Sequence, residues 1–536
     1  MIKKYHANII FFLVVTFLLV AIESYFRYSV PSLSLFTGVE EYLYIIIIVL
    51  LTTFSNKKLA FSFLIFIFTF VTLEIAHYRY FGNLIFPMEI YLGFTKQSEI
   101  FDTLSSMLNI LTIPAVILFV SLVTIFLIAD ITKERKTYRW VTIIFIIMLL
   151  FPIIRTAIGY KKTQLGARPN EYWSLARNTV HTVDHFLGKT LPLLLLNRSS
   201  VDAYSQKPFI LSSKDKPIAV QNVILIIGES LTREHMSLYN YDKNTTPYLD
   251  QLKKDKNFIF KKGIPAGVVT DSSIPMIVNV AQRCNALMHI ISAKTNLFRL
   301  AQKQGYVTHF ISAQSQEAFK YIRTYLNQKY IDNYVDSSNY GYNYYTNAND
   351  TLLLNEIKKI DFSKHNFIVL NMSGSHSPYT SRVPKDYAPF TKKTLNNQYD
   401  NTVRYSDTIL NQLFNYIQEQ NSSSVLFMTS DHGEFVSEHH GCGHGNLKRS
   451  SVCSVPILYK TFHHNISDET RNYFKSSNFM SHYKMSLYIA HMLGYQLPKR
   501  DIDCQVYING RDLAGNDGYL KVTLDKKSIL KKELHQ

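Results

Sequence analysis

The chain has 536 residues, longer than one typical domain, so at least two structural parts are expected. It is 47% hydrophobic and 18% charged, and the apolar residues are concentrated in roughly the first 160 positions, which argues against a wholly soluble protein. The formal net charge of +17 is consistent with work beside anionic lipid headgroups. A nucleic-acid partner is disfavoured, because no basic and aromatic nucleic-acid-binding module accompanies the charge.

Five apolar segments in the first part, residues 1–157, are predicted to cross a lipid bilayer. They are Ala7 to Ile22, a short one ending near Phe54, Leu59 to Ala76, Met107 to Ala129, and Trp140 to Ile154. Several are shorter than the roughly 20 residues that cross a bilayer comfortably, so flanking Tyr and Phe residues must contribute.

Lysine and arginine are concentrated in alternate loops between these spans. Lys3 and Lys4 precede the first span, Lys57 and Lys58 lie between the second and third, and a basic run from Lys133 to Arg139 lies between the fourth and fifth. The positive-inside rule therefore predicts a multi-pass protein with a cytoplasmic N-terminus, and it puts everything after about residue 155 on the outer side.

Residues 158–216 are predicted to be an amphipathic connector along the membrane surface, because their apolar stretches are too short to span it. The cysteines all follow this connector, at Cys284, Cys442, Cys453 and Cys504. In an oxidising compartment they permit two disulfides with three possible pairings, and four buried thiols are the alternative.

From residue 217 to residue 536 short apolar runs alternate with helical stretches. The runs VILIIG (223–228), FIVLNM (367–372), VLFMTS (425–430) and VPILYK (455–460) are predicted to be buried strands. Strands that alternate with helices predict an α/β domain with a central, mostly parallel sheet covered on both faces. The predicted architecture is an N-terminal five-helix transmembrane domain followed by this C-terminal α/β domain.

Acidic and imidazole side chains come directly after three of these strands. Glu229 follows the first, His376 comes shortly after the second, and Asp431 and His432 follow the third. In open α/β sheets, ligands bind beyond the carboxyl ends of the strands. Two carboxylates and an imidazole suit zinc or, less well, manganese, and leave a coordination position open. An Asp-His pair that only forms a cap or turn is the alternative.

The stretch GVVTDSSIPMIVNV (267–280) places Thr270 just before a predicted helix start. A hydroxyl there, and a phosphoryl group attached to it, would be stabilised by the helix dipole. Metal coordination would turn the Thr270 hydroxyl into a nucleophile at neutral pH. A hydroxyl of Thr270 or Ser272 that merely caps the helix is the alternative.

Five short motifs occur together: GES (228–230), Thr270 ahead of SSIP, GSH (374–376), YDNTV (399–403) and SDHGE (430–434). In combination they resemble the phosphoethanolamine transferases of Gram-negative inner membranes. These enzymes belong to the alkaline phosphatase and sulfatase superfamily and include the lipid A enzymes and the mobile colistin (polymyxin) resistance proteins. The resemblance implies a sulfatase-like catalytic domain in the periplasm and a multi-pass anchor in the bacterial inner membrane.

The resemblance also implies roles for individual residues. The ligands of one or two zinc ions would be Glu229, Thr270, Asp431 and His432. Thr270 would also be the catalytic nucleophile. His376 and His444 match histidines that contact the phosphoryl group or a second zinc, and they could protonate a leaving oxygen.

Three further positions match substrate-binding residues of the resembling enzymes. Thr95 and Glu99, in an outer loop, resemble the residues that bind the headgroup of the donor lipid, and their spacing would place both on one helix face. Lys320 resembles a substrate-site lysine.

Other positions depart from the pattern. Tyr91 stands where the lipid A enzymes usually have Asn, and Ala266 and Met276 stand where those enzymes have a cysteine pair around the nucleophile. The departure at Tyr91 concerns the pocket for the donor headgroup, and the departure at Ala266 and Met276 weakens lipid A itself as the acceptor. His439 and His440 match no family role, and a solvated loop is expected there.

The implied activity is metal-dependent transfer of phosphoethanolamine from phosphatidylethanolamine, through a phospho-threonine intermediate, to a cell-envelope glycolipid such as lipid A or the lipopolysaccharide core. A glucan is also open as the acceptor. A phosphoglycerol transferase of the lipoteichoic acid synthase type and a catalytically silent envelope scaffold are the alternatives. A sulfatase is disfavoured, because its formylglycine signature needs Arg where this chain has Ile277.

Overall fold

The structure is a computed structural model. It describes residues 2–30, 39–81, 84–85, 87, 90, 108–158, 174–191, 208–214, 220–319, 322–343, 346–438, 441–475, 477–498, 505–511, 513, 518–524 and 529–535. The chain divides into two compact units, Met1–Ser199 and Ser200–Gln536. The division between them falls inside the predicted connector.

The first unit is helical. Its described helices are α1 (Ile2–Ser29), α2 (Val39–Phe54), α3 (Lys57–Phe81), α4 (Leu108–Ile131), α5 (Arg139–Ile158) and α6 (Leu175–His185), which continues into a π-helix at Phe186–Thr190. Each predicted span overlaps one of the first five helices. Among the described residues, α1, α3 and α4 are long and apolar enough to cross a membrane. The predicted number of five is therefore approximate, because α2 has only 16 residues and the apolar stretch of α5 is short.

Buried carboxylates of α1, α2 and α3 hold the helix α6. A buried charge is stable in a fold only where it is paired or hydrogen-bonded. The contacts are Glu23 with the Leu175 N–H at 2.9 Å, Glu41 with Arg177 at 2.7 Å, and Glu74 with Asn178 at 2.8 Å. A part of the predicted connector is thus packed into the helical unit.

The second unit is an α/β domain. Its described strands are β1 (Asn222–Gly228), β2 (Phe258–Ile264), β3 (Val307–Ser312), β4 (Asn333–Val335), β5 (Asn366–Asn371), β6 (Ser424–Ser430), β7 (Phe435–Ser437), β8 (Gly441–Gly443), β9 (Val455–Phe462), β10 (Phe479–Ser481), β11 (Gln505–Asn509), β12 (Tyr519–Leu524) and β13 (Ile529–His535). Eight of them form one sheet in the order β10-β2-β9-β6-β1-β5-β3-β4. Neighbours in this sheet are parallel except where β9 pairs with β6 and β2. The prediction of a mostly parallel central sheet is confirmed.

Helices cover both faces of this main sheet. They are α7 (Pro247–Gln251), α8 (Thr270–Val278), α9 (Leu287–Ile291), α10 (Leu297–Lys303), α11 (Gln316–Phe319), α12 (Arg323–Leu326), α13 (Thr351–Ile357), α14 (Leu395–Gln418), α15 (Asp468–Lys475) and α16 (His482–Met492). Along β1, Val223, Leu225 and Ile227 enter one hydrophobic core, and Ile224 and Ile226 enter the other. A strand buried on both faces has no polar side, which explains its unbroken apolar run.

Two small antiparallel sheets accompany the main one in the described part of this unit. Strands β11, β12 and β13 form one, and β7 and β8 form a hairpin within the histidine-rich stretch after β6. The sequence analysis predicted neither, because three-residue strands and short edge strands leave little periodic signal.

Candidate active site

The candidate active site lies at the carboxyl ends of β1 and β6, which are neighbours in the main sheet. Glu229 directly follows β1, and Asp431 and His432 directly follow β6. The two strands are parallel and Gly228 is paired with Ser430, so the residues after them emerge side by side. The structure thus brings three of the four predicted metal ligands together.

Thr270, the first residue of α8, lies against these three side chains. Its Oγ1 is 2.7 Å from Asp431 Oδ2, 3.2 Å from Glu229 Oε2 and 3.4 Å from His432 Nε2. The N-cap residue Val269 makes no side-chain capping bond. The Thr270 hydroxyl therefore faces the acidic cluster instead of capping its own helix.

The cluster is buried, and its electrostatics favour a bound cation. Glu229 is 3% exposed, and Asp431 and His432 are 0% exposed. Burial, and then the neighbouring Glu229 charge, raise the pKa of Asp431 well above its ordinary value. Burial also lowers the pKa of His432 to about 3, which leaves the imidazole neutral and able to bind a metal. Two adjacent buried carboxylates are both stable as anions only when a positive ion lies between them.

The donor set and its orientation fit a metal ion. The ligand atoms of Glu229, Asp431 and His432 lie within 4.8 Å of one another. Ser230 Oγ donates to Glu229 Oε1 at 2.8 Å, and the N–H groups of Ser230 and His432 donate to Asp431 Oδ1 at 3.1 and 2.7 Å. Asp431 is thus oriented through Oδ1 and presents Oδ2 to Thr270, and Glu229 presents Oε2 to the same hydroxyl. Carboxylate, imidazole and hydroxyl groups form a mixed set that zinc accepts.

A second group of possible ligands adjoins the first. His432, Glu434 and His444 also have ligand atoms within 4.8 Å of one another. His444 Nδ1 is 3.0 Å from Glu434 Oε2, and Glu434 Oε1 accepts a hydrogen bond from Tyr379 OH at 3.0 Å. Burial disfavours charge on His444, but the hydrogen bond to Glu434 and the negative charges of Glu434, Glu229 and Asp271 together outweigh it and raise the pKa of His444. The ring of His376 lies 5.4 Å from that of His444, so both predicted histidines are at this edge.

A tight loop carries His376 past Glu229. Gly374 has a φ of +54°, and a Cβ added to it would lie 2.8 Å from both the N and the O of Glu229. Ser375 N–H donates to Glu229 O at 2.9 Å. The glycine of the GSH motif is therefore needed both for its left-handed backbone and for the close approach of its loop to the backbone of Glu229.

Three site residues received no role from the sequence. Gln314 Nε2 donates to Glu229 Oε2 at 2.9 Å, and Arg382 Nε donates to His376 O at 2.9 Å. Glu434 holds His444, as described above. Gln314 and Glu434 follow β3 and β6 at the ligand-binding edge, so the strand-end rule could have found them. Arg382 lies in a long loop and carries no comparable signal.

Some predicted positions lie outside the described residues. These are Tyr91, Thr95, Glu99, Lys320, His439, His440 and Cys504. The other cysteines are described: Cys284 and Cys453 are buried, and Cys442 is exposed. Their disulfide pairing stays a prediction.

Comparisons with known proteins find a family match inside the second unit and similar proteins for larger or unplaced parts of the chain. Residues 221–484 match the sulfatase family. The Kdo(2)-lipid A phosphoethanolamine 7''-transferase of Salmonella typhimurium is 28% identical over 256 residues, which are 44% of this chain and 43% of that protein. The chain therefore matches less than half of that relative's length.

Two solved structures are similar to the chain at low identity. The zinc complex of the C-terminal periplasmic domain of EcEptC from Escherichia coli is 20% identical with a TM-score of 0.44, and the match covers 55% of this chain and 88% of that one. The integral membrane protein lipooligosaccharide phosphoethanolamine transferase A (EptA) from Neisseria meningitidis is 15% identical with a TM-score of 0.44, covering 93% and 96%.

Proposed function

We propose that this chain, whose residues 221–484 form a domain of the sulfatase family, transfers phosphoethanolamine from phosphatidylethanolamine to a cell-envelope glycolipid. One observation carries the proposal: Thr270 Oγ1 lies 2.7 Å from Asp431 Oδ2 and within 3.4 Å of Glu229 and His432. A hydroxyl at a helix start, surrounded by buried metal-ligand side chains, is placed to act as a nucleophile on phosphorus.

The headgroup and the acceptor rest on relatives and motifs. The Salmonella relative is named a Kdo(2)-lipid A phosphoethanolamine 7''-transferase, and the GES, YDNTV and SDHGE motifs of this chain favour the phosphoethanolamine transferases. Lipid A and the lipopolysaccharide core are the acceptors we favour. The departures at Ala266 and Met276 point towards the core.

The reaction has two steps on Thr270. In the first step, the Thr270 Oγ–P bond forms while the P–O bond to glycerol breaks, and diacylglycerol leaves with the proton that Thr270 loses. Asp431 Oδ2, which accepts the Thr270 hydrogen bond, is placed to take that proton. In the second step, an oxygen of an acceptor hydroxyl or phosphate attacks the same phosphorus, the Thr270 Oγ–P bond breaks, and Thr270 takes back a proton from the acceptor.

The other site residues bind the substrate and the metal ion and protonate the leaving oxygen. His376 and His444 contact the phosphoryl group and protonate the leaving oxygen. A metal ion held by Glu229, Thr270, Asp431 and His432 would stabilise negative charge on the transferred group and activate the hydroxyl. We assign zinc, as one ion or two, and Thr95, Glu99 and Lys320 as substrate-binding residues.

Membrane attachment suits this chemistry, because the donor is a lipid. The apolar helices of residues 1–157 anchor the enzyme in the membrane, and residues 217–536 form the catalytic domain. Residues 158–216 connect these two parts along the membrane surface. We assign the protein to the bacterial inner membrane, with a cytoplasmic N-terminus and a periplasmic catalytic domain, from the distribution of Lys and Arg.

Mass spectrometry of Thr270 tests the proposal directly. Full-length protein in detergent is mixed with phosphatidylethanolamine, quenched in acid and digested, and the Thr270 peptide is expected to gain the mass of phosphoethanolamine. A gain of phosphoglycerol from phosphatidylglycerol would support the lipoteichoic acid synthase alternative. An unmodified Thr270, together with no stoichiometric zinc, would favour the silent scaffold.

The acceptor is tested in cells. Intact masses of envelope glycolipids are compared between cells with and without the protein, and one added phosphoethanolamine on lipid A or on the core is expected. The shifted species identifies the acceptor. An unchanged glycolipid profile beside a modified glucan would overturn the glycolipid assignment while leaving the transfer reaction in place.

A further inference from the structure

The end of β11 holds the segment that carries the proposed nucleophile. This nucleophile segment, residues 266–276, runs from Ala266 through Thr270 into α8. Asn509 N–H donates to Ala266 O at 2.8 Å, and Val268 N–H donates to Asn509 O at 3.1 Å. Gly267 and Asn509 form a parallel bridge. The segment is therefore paired with β11 as a short strand before its helix begins.

The side chain of Asn509 adds a second set of contacts. Its amide is 0% exposed, and Nδ2 donates to Ala266 O at 3.0 Å and also contacts Met276 Sδ. Both neighbours are acceptors, so only the NH2 end of the amide can face them and its orientation is fixed. One amide group thus joins the residue four positions before Thr270 to the residue six positions after it.

The carbonyl oxygen of the same amide shows which part of the Asn509 side chain is useful to the fold. Asn509 Oδ1 is buried and has no hydrogen-bond partner in the described residues. A buried acceptor without a partner is unfavourable, and an apolar side chain of similar size would avoid it. The stabilising contribution of Asn509 therefore comes from its NH2 group, which makes two contacts in the nucleophile segment.

The helix start needs such an external support. Val269 provides no capping side chain. Instead, Ser272 Oγ donates to Gly510 O at 2.9 Å, from the first turn of α8 to the residue after Asn509. A one-ångström displacement of Thr270 would carry its hydroxyl away from Asp431 Oδ2, which now lies 2.7 Å from it.

We infer that Asn509 is a positioning residue for Thr270: it fixes the nucleophile segment at both ends and sets the hydroxyl against the metal-ligand cluster. The inference rests on the proposed function, since it concerns the residue that attacks phosphorus. It assigns the small C-terminal sheet, β11 to β13, a part in catalysis without contact with substrate or metal. Misplacing a reacting group by about 1 Å can cost about 100-fold in rate.

The test compares Asn509→Leu with Gln505→Leu, the same apolar replacement at an exposed position of the same strand. Full-length proteins in detergent micelles with phosphatidylethanolamine are assayed for diacylglycerol release, with water as the acceptor in the second step. We expect kcat of N509L to fall about 10- to 100-fold. KM, zinc content and the thermal midpoint should stay near those of Q505L.

Several outcomes would overturn the inference. One is a kcat of N509L equal to that of Q505L, and another is a fall in kcat that only follows lost zinc or lost folded protein. If N509L does not fold, Ser272→Ala removes the hydrogen bond to Gly510 and should lower kcat at unchanged zinc content; unchanged kcat would then count against the inference. A wild-type protein that binds zinc but releases no diacylglycerol contradicts the proposed function itself.

Discussion

Thr270 Oγ1 and Asp431 Oδ2 lie 2.7 Å apart although 161 positions separate the two residues in the chain. The first begins α8 and the second follows β6, so the contact joins a helix start to a strand end. It makes the hydroxyl a member of the acidic cluster.

Thr270→Ala should abolish transfer without loss of the fold. The hydroxyl is the proposed nucleophile, so the rate of diacylglycerol release should fall by more than about 1,000-fold. The thermal midpoint should stay close to that of wild type. Thr391→Ala, which removes an exposed hydroxyl in the same unit, is the control. Retained transfer in T270A would show that another residue attacks phosphorus.

Asp431→Asn should separate metal binding from folding. Asn keeps an oxygen for the N–H groups of Ser230 and His432 and removes one of two adjacent buried carboxylates, so the metal-free variant should fold at least as stably as wild type. Zinc at about 1,000 times its Kd should stabilise wild type by about 4 kcal/mol and D431N by much less.

Thermal unfolding with and without added zinc measures both quantities in the same samples. Asp386→Asn, at an exposed position, is the control and should keep the full zinc-induced shift. An equal zinc-induced shift in D431N and wild type would remove Asp431 from the metal ligands.

Gly374→Ala should disrupt the site more than its backbone strain alone explains. Its φ is +54° and an added Cβ would meet Glu229 backbone atoms at 2.8 Å, whereas Gly305 has a φ of +80° with nothing within 4 Å of the added Cβ. G305A should lose about 1–2 kcal/mol of stability from strain. G374A should lose about 1–3 kcal/mol more from the clash, together with zinc affinity.

The pair is informative because both substitutions place Ala in a left-handed backbone. Unfolding midpoints and zinc dissociation constants are measured for both. If G374A binds zinc as tightly as G305A, the loop that carries His376 does not support Glu229.

Asp400→Ala should destabilise the second unit strongly. Asp400 is 0% exposed, with Oδ1 at 2.7 Å from His235 Nδ1 and Oδ2 at 2.6 Å from Lys243 Nζ. Lys243 is 33% exposed and keeps its contact with water, so the loss comes from the hydrogen bonds to the buried carboxylate, each worth about 1.5–3 kcal/mol. Asp400→Asn keeps one acceptor and should lose less, and the exposed Asp386→Ala should change stability by no more than about 0.5 kcal/mol. Denaturant unfolding of the full chain provides the measurement, and equal losses in D400A and D386A would contradict it.

The contacts of Asp400 illustrate what the sequence could and could not predict. Asp400 lies in the YDNTV motif, which the sequence analysis identified, but its contact with His235 across 165 positions was not predicted. Glu229, Asp431 and His432 were predictable because polar residues after parallel strands share one edge of a sheet. Gln314 obeys the same rule, but an amide gives no metal-ligand signal. Asn509 was not predictable, because its partners are set only by the tertiary approach of β11.

The membrane orientation can be tested with the exposed thiol of Cys442. Cys284 and Cys453 are buried, so with Cys504 replaced by Ser a membrane-impermeant maleimide should react at Cys442 alone. If the catalytic unit is periplasmic, spheroplasts treated briefly with a reductant should be labelled before lysis. Lys58→Cys, at an exposed position in the first turn of α3 on the predicted cytoplasmic side, should be labelled only after lysis when Cys442 is also replaced by Ser. Labelling in the reverse order would show that the topology is inverted and that the second unit lies in the cytoplasm, where periplasmic glycolipid acceptors are absent.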